Sequence, residues 1–336
     1  MKKVLLFAVF SFLTLSGWSC SKEEDNTDLT LGGWSYSKEE ENTDGDSLLI
    51  NDSLPLYNAE NVAVTLYANN SRSNQSAAVF KDYLFLIPNK RTRVHMYNLR
   101  TKKLLCSLEL EPGNKVPYGS YELYHCNQTT FGVDYYAPDD PFPLLYISQR
   151  AALDLRCFVE VYRILPVRKD SDEDYSSMQM QLVQTIYFPS QSTENSLGNV
   201  NCAIDQEKHL MYTYSRNNDK SAKNYRECKI SCFDIPNIYT EDVYLEDDDI
   251  KSSFMLGRTA LYMQGGCVKN GILYIAQSFR IAGHVYIHII DLKEQKLKDS
   301  IDLHDIGVTW EPEGCFAYNG YLMISTGKNI WQIITK

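Results

Sequence analysis

Along most of the chain, short apolar stretches alternate with clusters of Asn, Gly, Asp, Lys and Pro. The stretches have the length of β-strands, and the residues that separate them are typical of turns. After about residue 49 there is no long segment with the apolar spacing of an amphipathic helix. The pattern therefore predicts an all-β domain over residues 49–336, built as a sandwich, a barrel or a propeller.

An internal repeat favours the propeller. Three segments that begin at Gln75, Gln264 and Glu313 align without gaps. Each consists of a short strand of small residues, a two-residue turn and a more apolar strand. The Asn-Gly pairs at 270–271 and 319–320 are strong hairpin signals, because both turn positions require a positive φ. A third strand follows each hairpin, and a fourth follows the first two, which predicts four-stranded propeller blades.

Two further units begin near Tyr121 and Val200 and fit the pattern less closely; the second ends in a weak strand near residues 243–245. The pattern predicts a β-propeller of five four-stranded blades, or of six if an insertion hides a further blade. The last unit stops after three strands, whereas the apolar run at residues 62–68 belongs to no unit. We expect this run to be the fourth strand of the last blade, because such N-/C-terminal closure removes two unpaired sheet edges.

The N-terminal residues resemble a bacterial lipoprotein signal. Lys2 and Lys3 precede an apolar run at residues 4–15, which is too short to span a bilayer and typical of a signal peptide. Small residues and then Cys20 follow this run. In such lipoproteins the cysteine is acylated and becomes the mature N-terminus. The resemblance implies a signal peptide at residues 1–19 and lipidation of Cys20; an ordinary secretory signal is the alternative.

The residues after Cys20 resemble the acidic export tag of Bacteroidetes surface lipoproteins. Residues 21–25 read Ser-Lys-Glu-Glu-Asp, and the resemblance implies a lipid-anchored position on the outer membrane, exposed at the cell surface. The alternative is a solvated acidic linker. A near copy of residues 17–28 recurs at residues 33–44, with Tyr36 in place of the cysteine. We expect residues 20–48 to form a disordered acidic tether between the membrane and the propeller.

Charge and motifs narrow the function classes. The formal net charge of −10 makes a nucleic-acid partner unexpected, and a large share of that charge falls within the predicted tether. The acidity therefore does not indicate a ligand of the folded domain. The sequence contains no phosphate-binding, dinucleotide-binding, serine-hydrolase or zinc-protease motif, so we expect no cofactor.

The candidate site lies where the inner strands begin. Gln75, Gln264 and Glu313 share one position in the aligned repeats, and inner strands line the central channel of a propeller. We expect these residues to form a polar ring at the channel mouth that binds a polar ligand or a cation; a solvated channel is the alternative. Further ligand-binding candidates in neighbouring loops are Arg72, Arg258, His304, Trp310 and Glu311.

The segment around Trp310 is the most distinctive of these loops. An aromatic side chain beside the carboxylates of Glu311 and Glu313 is typical of sugar-binding sites, although Trp310 could equally cap the last blade. The leading hypothesis is therefore a surface-anchored binding module for a glycan or a protein. One alternative is a hydrolase or lyase at the channel mouth that acts on an extracellular carbohydrate and uses Glu311, Glu313, His304 or the arginines. A structural subunit of an envelope complex is the other.

The cysteines and histidines predict neither disulfides nor a metal site. Four of the eight cysteines after Cys20 fall near predicted inner strands, where cysteine serves as a small apolar residue: Cys126, Cys202, Cys267 and Cys315. Cys228 and Cys232 share one strand but lie too far apart for a disulfide, so we expect mostly free, buried thiols. No cysteine pair has zinc-site spacing, and His284 and His288 lie too far apart along one strand to hold one ion together.

Overall fold

The computed structural model describes most of the chain from residue 54 onward. The described residues are 54–69, 74–88, 93–109, 126–149, 157–167, 175, 177–189, 200–217, 219–238, 242–258, 262–278 and 284–336. The predicted signal peptide, the tether, Cys20 and Arg72 lie outside them, so the proposed domain boundaries stay predictions. Within these ranges the chain forms 21 strands and a 3₁₀ turn at Asp247–Asp249. None of the helical segments among them is long and apolar enough to cross a bilayer.

Five sheets form a five-bladed β-propeller, as the repeat predicted; each has four antiparallel strands, and one has a fifth strand in addition. Blade 1 contains β2 (Asn74–Phe80), β3 (Tyr83–Pro88), β4 (Arg93–Asn98) and β5 (Lys103–Glu109). Blade 2 contains β6 (Cys126–Phe131), β7 (Leu145–Gln149), β8 (Phe158–Pro166) and β9 (Met178–Tyr187). Blade 3 contains β10 (Asn201–Asp205), β11 (Leu210–Arg216), β12 (Cys228–Asp234) and β14 (Ser252–Gly257).

The remaining two blades complete the ring. Blade 4 contains β15 (Met263–Lys269), β16 (Ile272–Gln277), β17 (Tyr286–Asp291) and β18 (Lys296–Asp302). Blade 5 contains β19 (Pro312–Tyr318), β20 (Tyr321–Thr326), β21 (Asn329–Thr335) and β1 (Val62–Asn69). The innermost strands are β2, β6, β10, β15 and β19, and each contacts the inner strand of the next blade.

The ends of the domain close the ring as expected. Strand β1 pairs antiparallel with β21, in a register that places Val62 opposite Thr335 and Asn69 opposite Asn329. The Tyr57 hydroxyl, just before β1, accepts a hydrogen bond from the Leu322 N–H (3.0 Å). Blade 5 therefore joins the two ends of the described chain and leaves no raw edge at the junction.

The strand predicted near residues 243–245 belongs to a different blade. Strand β13 (Asp242–Tyr244) pairs in parallel with β9 and adds a fifth strand to blade 2. The rings of Tyr187 and Tyr244 stack there, 4.5 Å apart and nearly parallel. The fourth strand of blade 3 is instead β14, which pairs with β12. The assignment of 243–245 to the unit that begins near Val200 was wrong, because a three-residue strand carries no information about which edge it will join.

The hairpins between first and second strands have the predicted backbone. Asn270 and Gly271 have φ values of 53° and 72°, and Asn319 and Gly320 have values of 49° and 76°. Lys81 occupies the same turn position in blade 1 with a φ of 50°. Two successive positive φ angles match the right-handed twist of the strands, which is why Asn-Gly is a reliable hairpin signal.

The core lies between the blades. Five clusters of buried side chains fill the spaces between successive blades, including the last and the first. Between blades 1 and 2, for example, Phe85 packs edge-on against Phe131 and Phe142, with ring centroids 5.1 and 5.3 Å away. Full burial of each such ring stabilises the fold by about 1.5–3 kcal/mol. Apolar packing therefore holds neighbouring blades together, so the inner strands can carry polar side chains at the channel without weakening these contacts.

Blades 1 and 4 each contain a histidine–serine pair at the same position of the blade. His95 Nδ1 lies 2.7 Å from Ser107 Oγ in blade 1, and His288 Nδ1 lies 2.8 Å from Ser300 Oγ in blade 4. In both blades the histidine is on the third strand and the serine on the fourth. The pair is an additional sign of the repeat that the alignment of hairpins did not include.

The eight described cysteines form no disulfide. Cys126, Cys202, Cys267 and Cys315 lie on inner strands, as expected. Burial raises the thiol pKa values of Cys126, Cys202 and Cys232, and that of Cys228 to about 12. These thiols are neutral at physiological pH and serve as small apolar side chains.

Candidate functional site

The inner strands begin with a β-bulge in four of the five blades. The register shifts between Asn74 and Ser76 in β2, between Cys126 and Gln128 in β6, between Met263 and Gly266 in β15 and between Pro312 and Gly314 in β19. A bulge leaves one residue outside the ladder and redirects its side chain. The residues at the bulges are Gln75, Asn127, Gln264 and Glu313, which we name the entry ring. The end of the channel where they lie is the entry end.

Three members of the entry ring are the polar residues that the sequence alignment selected. The fourth, Asn127, was missed because blade 2 has no Asn-Gly hairpin to align. Strand β10 of blade 3 pairs with β11 in continuous register and contributes no bulge. Gln75, Asn127 and Glu313 are more than nine-tenths buried, whereas Gln264 is half-buried.

Two amide–carboxylate pairs organise the entry end. Gln75 Nε2 donates to Glu313 Oε2 at 2.7 Å, which joins blades 1 and 5. Gln264 Nε2 donates to Glu311 Oε1 at 3.2 Å, which joins blade 4 to the segment that enters blade 5. Each hydrogen bond joins the carboxyl group to an amide on a different strand and so fixes the orientation of that carboxyl group. The two carboxylates, two residues apart in the chain, therefore have separate amide partners.

Trp310 is largely exposed next to these pairs. Its side chain is 66% accessible, although Val308 and Pro312 on either side of it are buried. The flanking residues anchor the loop to the core, and the indole is left facing solvent. An exposed Trp does not have the burial expected of a residue that caps a blade.

The other candidate residues do not join the entry ring. Arg258 follows β14 in blade 3 and is exposed, with no hydrogen bond or ion pair to the ring residues that the structure describes. His304 lies beyond the end of β18, where its ring centroid is 6.0 Å from that of His284. The structure therefore brings together Gln75, Gln264, Glu311 and Glu313, with Trp310 adjacent in the chain, and places His304 in a separate cluster.

Gln128 crosses the channel just inside the entry ring. Its Nε2 donates to the carbonyl oxygen of Gly266, and its Oε1 accepts from the Gly266 N–H at 2.6 Å. Blades 2 and 4 are not neighbours, so this carboxamide links opposite sides of the ring. The approach requires glycine, because a Cβ at Gly265 would lie 2.6 Å from Gln128 Oε1 and one at Gly266 would lie 2.9 Å from the Tyr214 hydroxyl oxygen.

The opposite end of the channel, where inner strands finish at their hairpins, contains a cavity of about 230 Å³. We name this the hairpin end. Phe80, Lys81, Gln206, Lys269 and Tyr318 are among the residues that line it. The sequence pattern did not indicate this cavity, since its lining combines the ends of inner strands with turn residues whose types differ between blades.

Comparisons with known proteins add little beyond this geometry. No family model matches the chain, and no curated protein matches it. Among solved structures, a glutaminyl cyclase of Myxococcus xanthus is similar over 82% of this chain and 97% of its own, with 10% identity and a TM-score of 0.46. The PQQ-bound form of an aldose sugar dehydrogenase from Streptomyces coelicolor is similar over 83% of this chain and 100% of its own, with 12% identity and a TM-score of 0.46.

A putative oxidoreductase (glucose dehydrogenase) of Thermus thermophilus shows the same level of similarity. It covers 81% of this chain and 100% of its own, with 9% identity and a TM-score of 0.43. At such values no activity, substrate or cofactor of these proteins transfers to this chain.

Proposed function

We propose that the propeller is a binding module for a carbohydrate, held at the entry end. The observation that supports this most is the exposed indole of Trp310 beside two preformed amide–carboxylate pairs. The apolar face of a sugar packs against an aromatic ring, while its hydroxyl groups bond to amides and carboxylates. The entry end offers both kinds of contact.

The hydrogen-bonded pairs favour binding of a neutral, hydroxyl-rich ligand. A carboxylate oxygen that accepts from a glutamine retains further acceptor capacity, and a glutamine oxygen can accept as well. Sugar hydroxyls donate and accept, so they can join such a network without leaving a charge unpaired. The Gln75–Glu313 pair is buried, which makes its geometry rigid and reduces the entropic cost of ordering it on binding.

A binding experiment with the purified protein tests this proposal. A glycan array followed by calorimetry should identify a saturable carbohydrate ligand, and Trp310→Ala should weaken its binding at least about tenfold, since the loss of an aromatic contact at a binding site costs more than about 1 kcal/mol. The matched control is Tyr321→Ala, an exposed aromatic residue at the hairpin end of the same blade, which should bind as the wild type does.

Two results would contradict the proposal. One is the absence of binding to every glycan, together with capture of a defined surface protein. The other is glycan binding that Trp310→Ala leaves unchanged. Release of shorter saccharides, detected by mass spectrometry and abolished in Glu313→Gln, would instead support the hydrolase or lyase hypothesis.

The N-terminal resemblance supports a cellular address for this module. We propose that Cys20 is lipidated, that residues 20–48 form the tether, and that the propeller is displayed outside the outer membrane. Metabolic labelling with a fatty acid should mark the wild type and leave Cys20→Ala unlabelled. Protease treatment of intact cells should degrade the propeller; complete protection in intact cells would contradict surface exposure.

A further inference from the structure

A cluster of two histidines and one aspartate lies at the outer part of blade 4, apart from the entry ring. His284 Nδ1 is 2.6 Å from Asp302 Oδ2, and the rings of His284 and His304 are 6.0 Å apart. One donor atom from each of the three residues lies within 4.8 Å of the other two. Among the residues that the structure describes, no other group of His, Cys, Asp or Glu side chains meets this condition.

The fold holds the three residues in place through their neighbours in sequence. Val285 and Leu303 are fully buried, and the Leu303 N–H donates to the Val285 carbonyl oxygen at 2.9 Å. This backbone bond joins the start of β17 to the residue after β18. It places His284 beside Asp302 and His304, because those residues flank the two buried ones. The cluster therefore rests on a rigid part of the blade.

Neighbouring groups orient the aspartate and the first histidine. Asp302 Oδ1 accepts a hydrogen bond from the His304 backbone N–H at 3.0 Å, which leaves Oδ2 directed at His284. The Tyr286 ring stacks on the His284 ring, with centroids 6.0 Å apart and planes 22° apart. Partners of this kind, which fix the direction of a ligand from behind, are characteristic of metal sites in proteins.

His304 supplies an independent observation. Its Nε2 is inaccessible to solvent and has no hydrogen-bond partner. Buried polar atoms are satisfied in the great majority of cases, and one without a partner calls for an unseen water or ion. The Nε2 atom of His304 is therefore available to a ligand.

We propose that His284, Asp302 and His304 bind a divalent transition-metal ion of the zinc class. The ligand set of two imidazoles and one carboxylate suits zinc and its neighbours, whereas calcium and magnesium prefer sites made only of oxygen. With the three donors within 4.8 Å of one another, coordination at the distance of about 2.0–2.2 Å that zinc requires would need side-chain rotations only. About half of the His284 side chain is exposed, so a further coordination position faces solvent.

The spacing of His284 and His288 along one strand predicted no metal site. In the structure both ring nitrogens of His288 have hydrogen-bond partners: Nδ1 lies 2.8 Å from Ser300 Oγ and Nε2 lies 2.9 Å from Gln277 Oε1. The partners of His284 come from the end of the next strand, and the site does not depend on the proposed carbohydrate function.

Metal titration of the tag-free full chain tests the proposal. Calorimetry with Zn²⁺ alone should show one site per chain. His284→Gln and His304→Gln should each weaken binding by more than the roughly 10–100-fold that loss of an outer partner costs. The matched control is His209→Gln, which removes an exposed histidine 2.9 Å from Asp134 and should bind Zn²⁺ as the wild type does.

Co²⁺ separates this site from the buried thiols. Cobalt bound by nitrogen and oxygen should give visible absorption bands without the intense near-ultraviolet band of thiolate coordination, and both His284→Gln and His304→Gln should lose the visible bands. The proposal is overturned if the wild type binds no Zn²⁺, if the thiolate band appears, or if the two variants bind as tightly as His209→Gln. Circular dichroism of each metal-free variant confirms that it is folded.

Discussion

The two ends of the propeller channel are made by the same inner strands and yet differ in chemistry. At the entry end, β-bulges direct Gln75, Asn127 and Glu313 into buried polar positions. At the hairpin end, the strands finish in tight turns around a cavity of about 230 Å³. The Gln128 carboxamide lies between the two. The comparison shows that the blade repeat supplies a scaffold, and that single residues at the strand ends decide what each end can bind.

We expect the largest effect on stability from substitution of Gly266, the residue that Gln128 reaches across the channel. In Gly266→Ala the new Cβ would collide with the Tyr274 carbonyl oxygen and lie 2.9 Å from the Tyr214 hydroxyl oxygen. We expect a loss of more than about 3 kcal/mol in the free energy of unfolding, since backbone and a buried ring must both move. Denaturant unfolding measures it.

Gly314→Ala is the matched control in the next blade. There the nearest atom to a new Cβ is Ser325 Oγ at 3.4 Å. A loss below about 1 kcal/mol is expected, because that contact needs only a small adjustment. Equal losses of unfolding free energy in Gly266→Ala and Gly314→Ala would show that the requirement for glycine is not specific to the Gln128–Gly266 contact.

A smaller effect is expected from removal of the bridge itself. Gln128→Ala leaves the buried N–H and carbonyl of Gly266 without these partners, which should cost about 2–3 kcal/mol of unfolding free energy. Gln206→Ala is the control at the hairpin end, where an exposed glutamine bonds two carbonyl oxygens at 3.0 and 3.3 Å; it should change stability by less than about 0.5 kcal/mol. Equal losses of unfolding free energy in Gln128→Ala and Gln206→Ala would contradict the expected difference between the channel bridge and the hairpin end.

The last effect is absent at neutral pH and appears only in acid; it concerns His288, which contacts Ser300 and Gln277 in blade 4. Burial lowers the pKa of His288 to about 4, whereas an unfolded histidine titrates near 6.5. Below pH 6.5 the unfolded chain takes up a proton that the folded chain does not, so stability should fall as the pH drops from about 6.5 to 4 and this contribution should then level off. By pH 5 the loss should be about 2 kcal/mol.

His288→Gln isolates this contribution from that of the carboxylates. The unfolding free energy of the wild type minus that of the variant, measured across the same pH range, should decrease by about 2 kcal/mol between pH 7 and pH 5. Parallel curves would contradict the assignment of the pH dependence to His288.

Much of the fold could be predicted from the sequence, for identifiable reasons. Blades 1, 4 and 5 share hairpins whose turn residues have one favoured backbone geometry, and the incomplete last blade indicated the closing strand at residues 62–68. The position of Gln75, Gln264 and Glu313 followed from the same alignment. Their role in binding stays a prediction, as does the N-terminal anchor.

Other features could not be predicted, because they depend on contacts between distant residues. Strand β13 joins the edge of the preceding blade, a choice between two edges that three residues do not encode. Gln128 meets Gly266 across 138 positions of sequence, and no local pattern links them. The His284 cluster arises where one strand begins and another ends, so sequence spacing along a single strand concealed it.

The sequence by itself determined most of the strands, the Asn-Gly turns and the propeller class, with five blades favoured over six, since these follow from apolar alternation and from the φ angles that Asn-Gly pairs favour. Only the tertiary structure decided which polar side chains meet. Ring closure places five strand starts at one end of a narrow channel, and that geometry, which is absent from any local segment, pairs Gln75 with Glu313 and directs Gln128 across to Gly266.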